Sequence, residues 1–202
     1  MIDKRWWKEI LSSPLPGEKT QQLMAPRFRE VFSHEKDPTE AAVMILMYPF
    51  KGKLFVVLIK RIEYPGHHSA QVSFPGGMRE AADDSLEQAA RRETCEELGI
   101  TDTMEILGSL TPLYIPVSNY LVTPFVGWID HRPGFQPDGS EVQYLIEASL
   151  ETLMDPLNRR KKKMLRHGTD VMTPCYLVGE EMIWGATAMI LSEYLELASM
   201  MP

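Results

Sequence analysis

The groups best able to do chemistry are concentrated in one segment, Gly76–Ile100, with the sequence GGMREAADDSLEQAARRETCEELGI. Its second part reads as a helix from about Ser85 to Leu98. Asp84 or Ser85 can cap it, because Asp84 with Glu87 and Ser85 with Gln88 both have capping-box spacing. Gly99 suits the position just past its end. On a wheel of about 100° per residue, Glu93 and Glu97 fall about 40° apart. Leu86 and Ala90 share that sector, whereas Gln88, Arg91 and Cys95 point the other way. Two carboxylates thus occupy the face expected to pack on a sheet, and Glu96 flanks them. Burying carboxylates without partners is costly, and acidic groups on successive turns repel one another. A hard divalent cation such as Mg2+ relieves both, since it takes carboxylate oxygens and keeps sites for water and phosphate. The competing reading of the same spacing is a solvated acidic helix face.

Several neighbours could serve that chemistry. Phe74-Pro75-Gly76-Gly77 ends a strand, and its glycines permit close backbone approach; without a ligand it is simply a tight turn. The run Arg159-Arg160-Lys161-Lys162-Lys163 could draw in a polyanionic substrate or be a solvated hairpin tip.

The elements that must position these groups follow from periodicity and breakers. Residues 3–12 read as a short amphipathic helix ending before Pro14-Leu15-Pro16-Gly17. Residues 20–40 read as an irregular wrap, so that about 1–38 form an N-terminal helical extension of a single domain spanning 1–202. Ala41–Tyr48 and Lys53–Lys60 are β-rich and apolar, joined by a turn at 49–52, and read as a hairpin. A polar loop, 61–70, leads to a short strand at 71–74, which Pro75-Gly76-Gly77 breaks. After the acidic helix, strands are expected near 104–115, 121–129 and 141–148, then a short helix at 149–155 and a second hairpin at 160–184. A helix from about Ala186 to Ala198 carries the apolar stripe Met189, Ile190, Tyr194 and Leu197. Met44 and Met47 read as core. Strands, a helix, more strands and a final helix imply a mixed α/β sandwich.

Composition narrows the partners. A chain of 202 residues can bury a sizeable core. Its net charge of -7 argues against a nucleic-acid coat, which needs a basic footprint. Neither a signal-type apolar segment nor a run of about 20 apolar residues is present, so a cytoplasmic protein with no membrane partner is expected. Cys95 and Cys175 have no metal-ligand spacing, and nothing in the chain points to an oxidising compartment. Whether the chain acts alone or as a homodimer is left open.

The segment Gly77–Ile100 resembles the Nudix box: a glycine, an acidic position, Arg-Glu, an apolar residue, any residue, Glu-Glu, any residue, glycine and an apolar residue. Gly77 matches the first glycine, and Arg92-Glu93-Thr94-Cys95-Glu96-Glu97-Leu98-Gly99-Ile100 the second half. Thr94 stands where an aliphatic residue is commoner. Gly77 to Arg92 is one residue longer than the general pattern, so Asp83 or Asp84 takes the acidic place. The resemblance implies the α/β/α Nudix sandwich with a mixed sheet and Mg2+ or Mn2+ on Glu93, Glu96, Glu97 and the Gly77 carbonyl. It also implies that Arg92 orients the glutamates by charge-assisted hydrogen bonds. Glu141, opening a strand after Pro137-Asp138-Gly139-Ser140, is similar in position to the carboxylate that Nudix enzymes often use outside the box as base or extra ligand. Otherwise it is an ordinary strand-edge glutamate. The base is then Glu97 or Glu141.

The added residue, together with Leu58-Ile59-Lys60-Arg61, Gln71–Gly77, Leu113–Ser118, Val122–Val126 and Ile183–Ala188, resembles the coenzyme A pyrophosphatase branch over residues 40–195. This implies Arg61 and Gly76 as substrate-binding positions. The branch has an arginine and then a glycine in the loop where this chain has Gly66 and Ala70. His67 and His68, if not merely exposed, could replace the lost donor to phosphate. The implied reaction converts coenzyme A to adenosine 3′,5′-bisphosphate and 4′-phosphopantetheine. A pyrophosphatase for another small nucleotide derivative such as ADP-ribose, and a non-catalytic Nudix binding module, are the alternatives.

Overall fold

The computed structural model describes residues 4–26, 37–63, 69–166 and 168–201. Strand β1 (Thr39–Phe50) is the spine of a mixed sheet. On one side it runs parallel to β7 (Tyr120–Trp128), from Thr39 opposite Tyr120 to Met47 opposite Trp128. Its other side is shared between two strands. Residues 47–50 pair antiparallel with β2 (Lys53–Arg61), and residues 41–43 pair with β4 (Gly76–Met78). β3 (Val72–Ser73) and β8 (Val142–Ser149) pair with β2. β5 (Glu105–Ser109) and β6 (Leu113–Ile115) pair with β7. The β1–β2 turn is tighter than residues 49–52: Lys51 and Gly52 both have positive φ, 48° and 76°, the backbone of a two-residue hairpin turn.

The sheet is covered on both faces, which is why β1 and β2 are apolar without alternation. Ala42, Met44, Leu46, Tyr48, Val57 and Ile59 face a core completed by Ala89, Ala90 and Leu98 of α3 (Leu86–Leu98). Ile45, Met47, Val56 and Leu58 face a second core with Met189, Ile190, Tyr194 and Leu197 of α5 (Gly185–Ala198). The architecture is the expected α/β/α sandwich, and Met44 and Met47 are fully buried.

Three local expectations are corrected. Pro75-Gly76-Gly77 does not end the sheet: Gly76–Met78 forms β4, because β1 continues past the point where β2 leaves it and its backbone groups need partners. Residues 160–184 are a three-stranded sheet, β9 (Arg159–Arg166), β10 (Thr169–Val178) and β11 (Glu181–Trp184), with a second turn at Gly179 (φ 59°). Residues 18–24 are helical, as α2 (Glu18–Gln21) and a 3-10 turn (Gln22–Met24). The short helix α4 spans Leu150–Met154.

The N-terminal helix α1 (Lys4–Leu11) and α2 seal α5. Trp7 stacks on Tyr194 with centroids 4.8 Å apart. The fully buried carboxylate of Glu193 accepts from Gln21 Nε2 (2.8 Å), Gly17 N (3.1 Å) and Thr111 Oγ1 (2.7 Å). Glu193→Ala strands those donors without an acceptor. Leaving buried polar groups unsatisfied costs about 1–3 kcal/mol each before water enters, so a loss of about 2–4 kcal/mol is expected. Urea denaturation measures it, and a change below about 1 kcal/mol would show that the carboxylate is not the anchor.

Candidate active site

Helix α3 is fixed at both ends before its carboxylates are placed. Ser85 Oγ accepts from Gln88 N at 3.1 Å, and Gln88 Oε1 reaches back to Asp84 N at 2.7 Å. Ser85 is therefore the cap, and the return bond of the box lands one residue earlier than the usual reciprocal pair. Gly99 closes the helix in the left-handed region at φ 60°, its N–H bonded to Cys95 O. Thr94, the departure from the aliphatic pattern, is fully buried, and its hydroxyl donates to Ala90 O at 2.6 Å. A helix carbonyl thus satisfies the polar group where an aliphatic residue would pack.

The three box glutamates occupy different depths. Glu97 is 1% exposed. Its Oε1 accepts from Arg61 Nη1 at 2.8 Å and its Oε2 from Gly76 N at 2.8 Å. Burial pushes its carboxyl up to about 7, against the opposing pull of Arg61 and the Gly76 N–H; Glu93 and Glu141 push it further up. Glu93 is half-buried, and burial also raises its pKa, with Arg92 acting against the shift. Glu96 is exposed.

Arg92 ties these together. Its Nη1 donates to Glu93 Oε1 (2.9 Å) and Glu96 Oε2 (3.2 Å). Its Nε and Nη2 hold the two oxygens of Asp83 at 3.1 and 2.9 Å. The bidentate grip fixes the guanidinium plane, and Arg92 in turn holds the Asp83 carboxyl below the usual range. Asp83 is buried and Asp84 exposed, so Asp83 fills the acidic place left open by the sequence. Asp83 and Arg92 are nine positions apart across a helix start, a spacing with no periodic signature; the anchoring role of Asp83 was not legible in the chain.

The glycines make the approach close. A Cβ on Gly77 would lie 2.4 Å from the Glu93 carboxylate, so main chain and carboxylate are in direct contact. A Cβ on Gly76 would lie 2.3 Å from Ala42 O, at a φ of 145°. Arg61 reaches Glu97 from the end of β2, beside a register shift in the β2–β8 pairing where Val142 rather than Gln143 stands opposite it.

Glu141 arrives by another route. Gln136 N donates to Leu98 O and Asp138 N to Glu97 O, docking the segment on the C-terminal turn of α3; Glu141 N then bonds Asp138 O. The Glu141 side chain is exposed, and its charge acts on both Glu93 and Glu97. The structure therefore gathers Arg61, Gly76, Gly77, Arg92, Glu93, Glu96, Glu97 and Glu141 around one helix face. His67, His68 and Gly66 lie outside the described residues. Ala70, where the resembled signature has glycine, adopts φ 54°. The basic run Arg159–Lys163 lies exposed on β9, the edge of the separate three-stranded sheet, where charged side chains discourage pairing with another strand. Cys95 and Cys175 are free thiols.

The donor set suits a hard divalent cation. Among the described residues no three acidic, histidine or cysteine side chains form a metal cage by themselves. Mg2+ seldom uses such a cage; it takes one or two carboxylates and completes its shell with water and substrate phosphate. The cradle at Gly77, which a Cβ would fill, places main chain against Glu93 in that manner.

The family model of the NUDIX domain matches residues 38–167. The chain belongs to the Nudix hydrolase family and is a hydrolase of a pyrophosphate bond. Members of this family generally use divalent metals such as Mg2+ or Mn2+. It is 33% identical to a Nudix hydrolase, NudL, of Pectobacterium atrosepticum over 179 residues, 86% of this chain and 88% of that protein. It is 32% identical to the human mitochondrial coenzyme A diphosphatase NUDT8, over 79% of this chain and 70% of that one. The mouse peroxisomal coenzyme A diphosphatase NUDT7 is 29% identical over 67% of this chain, and the match spans only 57% of that protein. Among solved structures, a MutT/nudix family protein from Enterococcus faecalis superposes with a TM-score of 0.53 at 17% identity, over 98% of this chain and 76% of its own. No helix among the described residues is long and apolar enough to cross a membrane.

Proposed function

We infer that the chain is a metal-dependent pyrophosphatase of coenzyme A or its acyl derivatives, yielding adenosine 3′,5′-bisphosphate and 4′-phosphopantetheine. The observation that carries the chemistry is the meeting of Glu93 and Glu97 with the Gly76–Gly77 backbone at the head of β4. The substrate assignment rests on the similarity to proteins named as coenzyme A diphosphatases, which extends well beyond the box.

Glu93, Glu96, Glu97 and the Gly77 carbonyl are the groups that would hold Mg2+ or Mn2+. A bound cation supplies charge neutralisation at the diphosphate and a lowered pKa for the attacking water. Arg92, fixed by Asp83, keeps Glu93 and Glu96 oriented. Both oxygens of Glu97 are already engaged, and the group is buried. Glu141 is open to solvent and electrostatically coupled to the same carboxylates. A base must be able to reach the water whose proton it takes, so this geometry favours Glu141 as base and Glu97 as ligand. His67 and His68 remain proposed donors to the nucleotide phosphates.

The test compares coenzyme A, its 3′-dephospho form and ADP-ribose under one Mg2+ or Mn2+ condition, with and without chelator. Activity should vanish with chelator and return with metal, and coenzyme A should have the highest kcat/KM. Full activity in excess chelator would sink the metal chemistry. A clear preference for ADP-ribose would move the substrate to the other nucleotide class and leave the hydrolase intact.

A further inference from the structure

We propose that Arg61 is a positioning residue of the hydrolytic site: by ion-pairing with Glu97 across the junction of β2 and α3, it holds that carboxylate in the orientation needed to ligate the cation. The proposal rests on reading the box as a metal site. It departs from the expectation that Arg61 touches substrate.

Four observations carry it. Glu97 is 1% exposed, so its charge has almost no solvent to stabilise it. Only two donors to its side chain are seen among the described residues, Arg61 Nη1 and Gly76 N, both at 2.8 Å and one on each oxygen. One is cationic, and a buried carboxylate needs such a partner to persist as an ion. Third, Arg61 is itself placed by the sheet. Val57 and Ile59, four and two residues earlier on β2, lie in the core beneath α3, and strand alternation sends Arg61 to the same face. Lys60, on the other face, is taken up by Glu181 of β11 at 2.8 Å. Fourth, the β2–β8 register shifts at Lys60/Arg61 with the extra residue, Gln143, on β8, so β2 keeps its alternation at Arg61 beside an irregularity of a kind common next to active sites.

The arrangement mirrors the other half of the site. Asp83 fixes Arg92, which fixes Glu93 and Glu96; the β2 strand fixes Arg61, which fixes Glu97. Each cation leaves carboxylate lone pairs uncommitted, since an ionised carboxylate has about four acceptor sites. Groups that orient metal ligands in this manner typically account for about 10–100-fold in metal affinity or activity.

The experiment uses the full chain with Arg61→Gln, Arg61→Lys, Glu97→Gln and the Arg61→Gln/Glu97→Gln double variant. Mn2+ affinity is read without substrate, by electron paramagnetic resonance of the free ion, and kcat and KM are read separately. Arg61→Gln should weaken Mn2+ binding and lower kcat, each by about 10–100-fold, with KM changed by less than about threefold. Arg61→Lys should recover part of both. In the Glu97→Gln background, Arg61→Gln should add almost nothing, because neighbours acting through one another are non-additive. The double variant carries no unpaired charge at this position and serves if Arg61→Gln alone fails to fold. A raised KM with unchanged Mn2+ affinity and kcat would return Arg61 to substrate binding and overturn the proposal, as would fully additive losses in the double variant. If the wild-type chain binds no Mn2+, the metal reading fails; coupling of Arg61 to Glu97 is still read from kcat in the same cycle.

Discussion

Glu97→Gln should lower kcat by at least about 10²-fold, the scale at which positioned ionisable groups act in catalysis, while the protein stays folded. The amide keeps the volume, but only one of its two terminal atoms can accept a hydrogen bond. Arg61 Nη1 and Gly76 N both donate to the native carboxylate, so one donor will face an NH2 group. The native group also predicts a pH dependence. Burial raises its pKa from 4.5 to about 7, so the metal-free folded state binds more protons than the unfolded chain between those values. Metal-free stability should therefore fall as pH rises through that window. Mn2+ affinity should move in the opposite sense, because the ligating carboxylate must lose its proton. It should rise by up to about tenfold per pH unit below about 7 and level off above. Thermal melts of the metal-free protein and Mn2+ titrations at several pH values check both. Glu97→Gln should flatten the two profiles, and a wild-type Mn2+ affinity independent of pH would remove Glu97 from the ligand set.

The second large effect is expected at Glu141. Glu141→Gln should lower turnover by about 10²–10⁴-fold, the usual range for loss of a general base. Its side chain is exposed, while its backbone N–H bonds Asp138 O and its carbonyl accepts from Ile62 N. The substitution keeps those backbone bonds, so stability should change by less than about 0.5 kcal/mol. KM should change little while kcat falls, which distinguishes a lost base from a general loss of affinity. Near-normal turnover would make Glu141 an ordinary strand-edge residue and leave proton transfer to a box glutamate.

The contrast between these glutamates shows where the chain's information lies. The extent of the acidic helix was legible. Its stop at Gly99 and the sector shared by Glu93, Glu97 and Ala90 follow from a period of about 3.6 residues and from local backbone preferences, whereas the cap was narrowed only to Asp84 or Ser85, and the structure assigns it to Ser85. The β1–β2 hairpin was equally plain, because two apolar runs separated by turn residues have few other solutions, although the turn is Lys51-Gly52 and not the whole of 49–52. So were the apolar stripe of α5 and the core positions of Met44 and Met47.

The sequence by itself thus determined which carboxylates share a helix face, and its resemblance to the Nudix box, rather than the spacing alone, implied the class of chemistry. The tertiary structure decided which partner each carboxylate meets. Arg61 lies on β2 and Gly76 on β4, yet both bond Glu97 because β2 and β4 share one edge of β1. Asp83, not Asp84, grips Arg92. Glu193, a charged residue in a largely apolar helix, is buried because the N-terminal segment folds over it and supplies donors from Gly17 and Gln21. Hydrogen-bond partners of this kind are separated by 9 to 176 residues, and no local period encodes them. They are fixed by which strands pair and which segment closes each face, and those are choices made by the packing of the whole chain.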